Sequence, residues 1–162
     1  MEYNLKKRRE QLPKVAEDYY ELLARNVALP GSDKTELFRL TGQKDGLLVE
    51  MFKPGKKGEP DSLIASRLFK PSETKTLQIF GLGNDDIFEI QGEGNPIKRV
   101  VIYDGEGQDE IKFNARKKKL IKIMDSGDGN ELPETRKIKV VKYEPKAEEY
   151  TGDGWLLRHR LY

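Results

Sequence analysis

The sequence predicts a mainly β chain with an N-terminal α-helix, its strands stacked as a short solenoid or, as the second architecture, a sandwich. Three observations carry this. Short runs of alternating apolar and polar residues recur along most of the chain. Gly-x-Gly steps punctuate them at Gly81, Gly105, Gly127 and Gly152, which lie 24, 22 and 25 residues apart. Before residue 30 the apolar spacing is instead helical, at three and four.

The helix is expected over about 13–26. Val15, Ala16, Tyr19, Tyr20, Leu22, Leu23 and Val27 mark its apolar side, and Pro30-Gly31 stops it. Pro13 suits a first helical position, where its missing N–H is not needed, and Glu17 and Asp18 suit the positive helix end. A shorter helical turn precedes it over 4–11. Residues 1–30 are thus expected to pack on the β domain, with the tyrosine pair in the core.

Residues 31–72 read as a three-stranded meander over Glu36–Thr41, Gly46–Phe52 and Ser62–Phe69. Turn clusters at 42–46 and 54–60 separate the strands, and the second is expected to be a mobile, solvated hairpin tip. Residues 73–162 form the Gly-turn repeat. Its strands are Thr76–Phe80, Ile87–Gln91, Arg99–Tyr103, Glu110–Phe113, Leu120–Met124, Lys137–Tyr143 and Trp155–Leu161. Alternation buries one face and wets the other, which favours antiparallel or solenoid sheets over a doubly wound parallel core.

Composition removes most chemistry. At 162 residues the chain is one domain, or one with an appendage. Its 30 Lys and Arg nearly balance 28 Asp and Glu, so it is no general polyanion binder, and nucleic acid is not an expected partner. Without cysteine, and with His159 the only histidine, thiolate zinc sites, Cys nucleophiles and His-based triads are excluded. The mean hydropathy of −0.76 leaves no apolar run long enough for a membrane helix. The basic run Arg116–Lys119 lacks aromatic neighbours for base stacking and reads as a charged connection. Gly81-x-Gly83 opens a strand, not a helix, and is no dinucleotide fingerprint. Trp155, near His159, reads as a core or edge anchor.

The two better glycine turns share the pattern G-x-G-[NQ]-D-[DE]-I, at Gly81–Ile87 and Gly105–Ile111. They resemble the hemolysin-type calcium repeat, G-G-x-G-x-D-x-U-x. In that repeat glycines permit tight turns, carbonyls point inward and the Asp completes an oxygen cage for Ca²⁺. Asp85 and Asp109 would be the ligands here, although true copies follow every nine residues. The bland alternative is that Gly and Asp serve turn geometry alone. Asn84, Asp86, Gln108 and Glu110 are the other positions to watch. Adjacent pairs such as Asp85-Asp86 and Asp109-Glu110 should point to opposite faces and share no proton. The loop Asp125–Glu131 half-matches a calcium loop, but Arg136 stands where an EF-hand needs its twelfth, acidic ligand, so a solvated turn is expected.

Three stretches, Lys6–Tyr20, Leu29–Phe38 and Phe69–Phe88 (the last through Lys75 and then from Gly81), resemble one region of large Bacteroidetes cell-envelope proteins. That region follows a calcineurin-like phosphoesterase domain and precedes a surface-antigen type outer-membrane β-barrel. The resemblance covers roughly residues 4–113 and fades beyond. It implies an extracytoplasmic, β-rich module at the periplasm or outer-membrane surface, with neighbouring domains of the same polypeptide as partners and the membrane reached only through the barrel. The phosphoesterase's Asp-x-His, Gly-Asp and Asn-His metal motifs are absent, so its hydrolase activity does not carry over. No signal-peptide leader opens the sequence, and it reads as part of a longer protein with Met1 an added start.

The function expected is therefore a non-enzymatic structural or interaction module that spaces or orients the phosphoesterase domain beside the barrel. A calcium-stabilised adhesin-like or glycan-binding module is the alternative. A β-helical polysaccharide lyase is a distant third.

Overall fold

The computed structural model describes residues 2–93, 96–116, 121–127, 129–133 and 138–143. One helix, α1 (Glu2–Arg25), leads into ten strands: β1 (Asn26–Pro30), β2 (Leu37–Gly42), β3 (Leu47–Pro54), β4 (Pro60–Phe69), β5 (Thr76–Phe80), β6 (Ile87–Gly92), β7 (Arg99–Tyr103), β8 (Glu110–Ala115), β9 (Ile121–Asp125) and β10 (Ile138–Lys142). They form two sheets, ordered β1-β5-β7-β9-β10 and β4-β3-β2-β6-β8.

The chain winds between these sheets. It leaves the first at the end of β1, β5, β7 and β9, and turns into the second at β2, β6, β8 and a single bridging residue, Glu131. Every pairing in the first sheet is parallel, as are β2 with β6 and β6 with β8. Each coil therefore stacks directly on the last, and the architecture is the solenoid rather than the sandwich. Thr76 lies opposite Arg99, and Ile87 opposite Glu110.

Inward side chains fill the space between the sheets. Leu77 and Ile79, Val100 and Ile102, and Ile121 and Ile123 come from the first sheet; Phe38 and Leu40, and Phe88 and Ile90, come from the second. Residues in register stack: the Phe38 and Phe88 rings lie 5.2 Å apart and 9° from parallel. Burial of a side chain of this size stabilises by about 1.5–3 kcal/mol, so these columns hold the coils together. On the outer face Arg39 bonds its register partner Glu89 at 2.8 Å and lies over the Phe52 ring.

The expected meander is present as β2, β3 and β4, paired antiparallel. It is not a separate unit, because β2 also pairs in parallel with β6. The hairpin β3–β4 is an insertion within the first coil, and β1 is a strand that helical periodicity had hidden. The boundary expected at residue 30 thus falls inside a coil. β4 forms the free edge, exposed from Asp61 to Leu68.

The helix departs most from expectation. It is one piece, with Pro13 inside it. An interior proline removes one hydrogen bond and crowds the preceding turn; here the surrounding residues are exposed, so water can solvate the carbonyl it releases. The helix does not pack along the β domain: Tyr19 and Tyr20 are 61% and 50% exposed, and Ala24 is its only buried residue among those described. Its last turns make contact, where Thr74 Oγ1 donates to the Ala24 carbonyl at 2.9 Å and Tyr20 Oη to Glu73 at 3.1 Å. The strand expected at Trp155–Leu161, His159, most of the Arg116–Lys119 run and the Gly152 step lie outside the described residues.

Candidate functional site: a stack of acidic turns

Six-residue turns carry the chain from the first sheet to the second at Gly31–Glu36, Gly81–Asp86 and Asp104–Asp109, and a fourth corner leads from Asp125, the last residue of β9, to Asn130. The strand registers superpose them, so their first residues form one column and their sixth another.

The sixth residues form a ladder. The backbone N–H of Glu36 donates to Asp86 Oδ1 at 2.8 Å, that of Asp86 to Asp109 Oδ1 at 2.8 Å, and that of Asp109 to Asn130 Oδ1 at 2.9 Å. The members lie 50, 23 and 21 residues apart in sequence. The side chains of Asp86, Asp109 and Asn130 each take the N–H of their counterpart one coil earlier, satisfying a buried donor that the corner denies a strand partner. Glu36 closes its own turn instead, accepting from Ser32 N–H at 3.0 Å and from the Ser32 hydroxyl.

Ladder geometry leaves one oxygen over. Asp86 Oδ2 and Asp109 Oδ2 are buried without a hydrogen-bond partner. Burial, reinforced by the charges of Asp109, Glu36 and Asp85 and opposed by the Glu36 N–H, pushes the Asp86 carboxyl up to about 9. Burial likewise pushes Asp109 up to about 7, opposed by the Asp86 N–H and helped by Asp104, Asp85 and Asp125. Asp86 is therefore a neutral acid at pH 7, and its Oδ2 is the natural seat of the proton.

The first-residue column responds to this. Gly81 has no room for a side chain: a Cβ there would stand 2.0 Å from the Asp104 carbonyl oxygen and 2.5 Å from Asp86 Oδ2. In the next coil the same position is Asp104, whose Oδ1 accepts from Gly105 N–H at 2.8 Å, and from Ser126 N–H and Oγ at 3.0 Å each. Burial raises the Asp104 carboxyl above its ordinary range against these bonds. Asn130 completes the stack by donating Nδ2 to Asp104 Oδ2 at 3.0 Å and to Asp125 Oδ1 at 2.7 Å. Asp125 is itself buried, so this fourth turn is built into the stack rather than merely solvated.

The calcium pairing of Asp85 with Asp109 is displaced by one residue. Asp109 stands in the ladder, but its counterpart is Asp86; Asp85 is exposed and accepts Gln108 N–H at 2.8 Å. Glu110 faces outward to Lys112 at 2.7 Å, and Asn84 donates to the Asp33 carbonyl at 2.6 Å. Adjacent carboxylates do diverge, as expected; acids one coil apart are the ones that meet. Sequence reading missed Glu36, Asp104 and Asn130. A signal existed in Glu36-Leu37-Phe38 and Asp86-Ile87-Phe88, an acid before an aliphatic and a phenylalanine.

Among the described residues no group of three or more carboxylate or imidazole side chains is set to hold a metal ion, and no helix is long and apolar enough to cross a membrane. Phe88 is fully buried, while Tyr103 is half-buried and stacks on Phe80 at 4.6 Å. No family model, curated protein or solved structure matches the chain.

Proposed function

We propose that the chain is a non-enzymatic structural module, a short solenoid that holds neighbouring parts of one polypeptide at a fixed separation. The observation that supports this is the use made of the acidic turns. Asp86, Asp109 and Asn130 are occupied with backbone N–H groups of the adjacent coil, and Asp104 with Ser126 and Gly105. Residues that could have served a substrate are committed to fastening coil to coil. On the resemblance of its N-terminal two thirds, the parts held apart are a phosphoesterase domain and an outer-membrane barrel, which puts the module at the periplasm or outer-membrane surface.

Coil deletion tests the spacer reading. Removing residues 87–109 joins Asp86 to Glu110, which occupies the register of Ile87. With a fluorescent protein fused at each end, the shortened chain should still melt cooperatively and bring the reporters closer by about 5 Å, one strand spacing. An unchanged transfer efficiency would contradict a spacer.

The unpartnered oxygens of Asp86 and Asp109 favour one second reading, a calcium-stabilised adhesin-like or glycan-binding module. Saturating Ca²⁺ at about 100 times its dissociation constant would then add about 2.7 kcal/mol to stability. Melts with Ca²⁺ and with chelator that coincide would remove that reading.

A further inference from the structure

We infer that α1 is a self-association element, pairing antiparallel with the same helix of a second copy. Leu5, Leu12 and Tyr19 recur every seven residues, and Arg8, Val15 and Leu22 follow them three places on. This is the a/d pattern of a coiled-coil seam over three heptads. The apolar members are between 59% and 66% exposed, so nothing within the described chain covers them. Pro13 lies at a flanking position, away from the seam.

Charge selects the occupant and its direction. Lys6, Lys7, Arg8 and Arg9 outweigh Glu2 and Glu10 in the first half of the helix, while Glu17, Asp18 and Glu21 outweigh Lys14 and Arg25 in the second. A parallel pair would set Arg8 against Arg8 inside the seam. An antiparallel pair sets Leu5 opposite Leu22, Leu12 opposite Val15, and Arg8 over the ring of Tyr19, a favourable cation–π arrangement. The pairing is two-fold and closes on itself. The receiving end has an opening: a groove of about 440 Å³ between the helix and the 72–75 turn is lined by Leu22, by the acids Asp18, Glu21 and Glu73, and by Arg25 and Lys75. The partner's Leu5 and its basic neighbours would enter there.

Because the last turns of the helix hold it to the solenoid and Leu12 and Val15 are exposed, seam substitutions separate pairing from folding. Sedimentation over a concentration series should show a dimer for the natural sequence, and a monomer with an unchanged melt for Leu12→Asp and Val15→Asp. The chain has no cysteine, so direction is read by oxidation. Leu5→Cys mixed with Leu22→Cys should give the mixed disulfide, and Leu5→Cys alone little of the self-linked product. A monomer throughout the series, a dimer indifferent to Leu12→Asp, or self-linked Leu5→Cys as the main product would each overturn the inference.

Discussion

The turns of the second and third coils have the same length and positive φ at the same two positions but distribute their residues differently. Both take positive φ at their second and fourth positions. Gly105 and Gly107 occupy these in the third coil, at 101° and 141°, but Leu82 and Asn84 occupy them in the second, at 82° and 64°. The glycines of the second coil sit instead at its first and third positions. Gly81 is required there because the Asp86 carboxyl and the Asp104 carbonyl fill the space of a side chain. The two steps thus differ in what they combine: Gly105 and Gly107 join a positive φ to close approach, a Cβ there meeting the Leu82 and Asn84 carbonyl oxygens at 2.5 and 2.4 Å, whereas in the second coil close approach falls on Gly81 alone and positive φ on Leu82 and Asn84.

Removing the close approach should have the largest effect. Gly81→Ala forces backbone atoms of the next coil apart, and the overlap at 2.0 Å cannot be relieved by a rotamer. Chemical denaturation should report a loss of more than about 3 kcal/mol, the range of overpacking combined with a broken buried network. Gly83→Ala should cost much less, since the nearest atom to a Cβ there belongs to the Asp33 side chain at 3.7 Å. Equal costs at the two positions would dissolve the distinction between them.

The next effect is pH dependence. Asp86 and Asp109 hold their protons more tightly folded than unfolded, so the stability they contribute is complete below the unfolded value near 4. It declines as pH rises to about 7 for Asp109 and about 9 for Asp86. Melts should therefore be higher at pH 5 than at pH 8, with a slope on the order of 1 kcal/mol per pH unit. Asp109→Asn copies the solution used in the next coil, where Asn130 donates to Asp104 and Asp125. It should roughly halve the slope between pH 4 and 7, leaving the part that Asp86 contributes, without lowering the melt at pH 8. A melt that rises with pH would show that these carboxyls are ionised in the folded chain.

The smallest change sharpens the comparison from the other side. Leu82→Gly puts glycine where the third coil has it and should stabilise by about 1 kcal/mol, the cost of a left-handed non-glycine residue. No gain would mean that Leu82 offsets its strain through packing.

Strands and core were legible because alternation records the buried face directly: β5 and β7 have the limits that periodicity assigns them. The solenoid itself was legible in the repeat spacing. Three things were not. β1 lay hidden at the end of a helical apolar pattern whose spacing reflects a surface stripe and not contact with the β domain. The insertion of β3–β4 into the first coil was masked because hairpin pairing is local, while the pairing of β2 with β6 sets Leu37 against Ile87, far apart in sequence. The ladder was misregistered by one residue because the glycines were aligned as a motif, whereas the strands align the acids that follow them. A distance of one residue moved the assignment from buried Asp86 to exposed Asp85.

Everything distinctive about the acidic turns depends on Asp86 being a neutral acid that binds the first coil to the second. Carboxyl-carbon NMR titration of the folded chain, assigned by Asp86→Asn and Asp109→Asn, measures this directly. The account predicts that Asp86 keeps its proton through pH 7 and titrates near 9, with Asp109 titrating near 7. Both carbons titrating near 4, as exposed aspartates do, would contradict it and leave the ladder as two ordinary carboxylates.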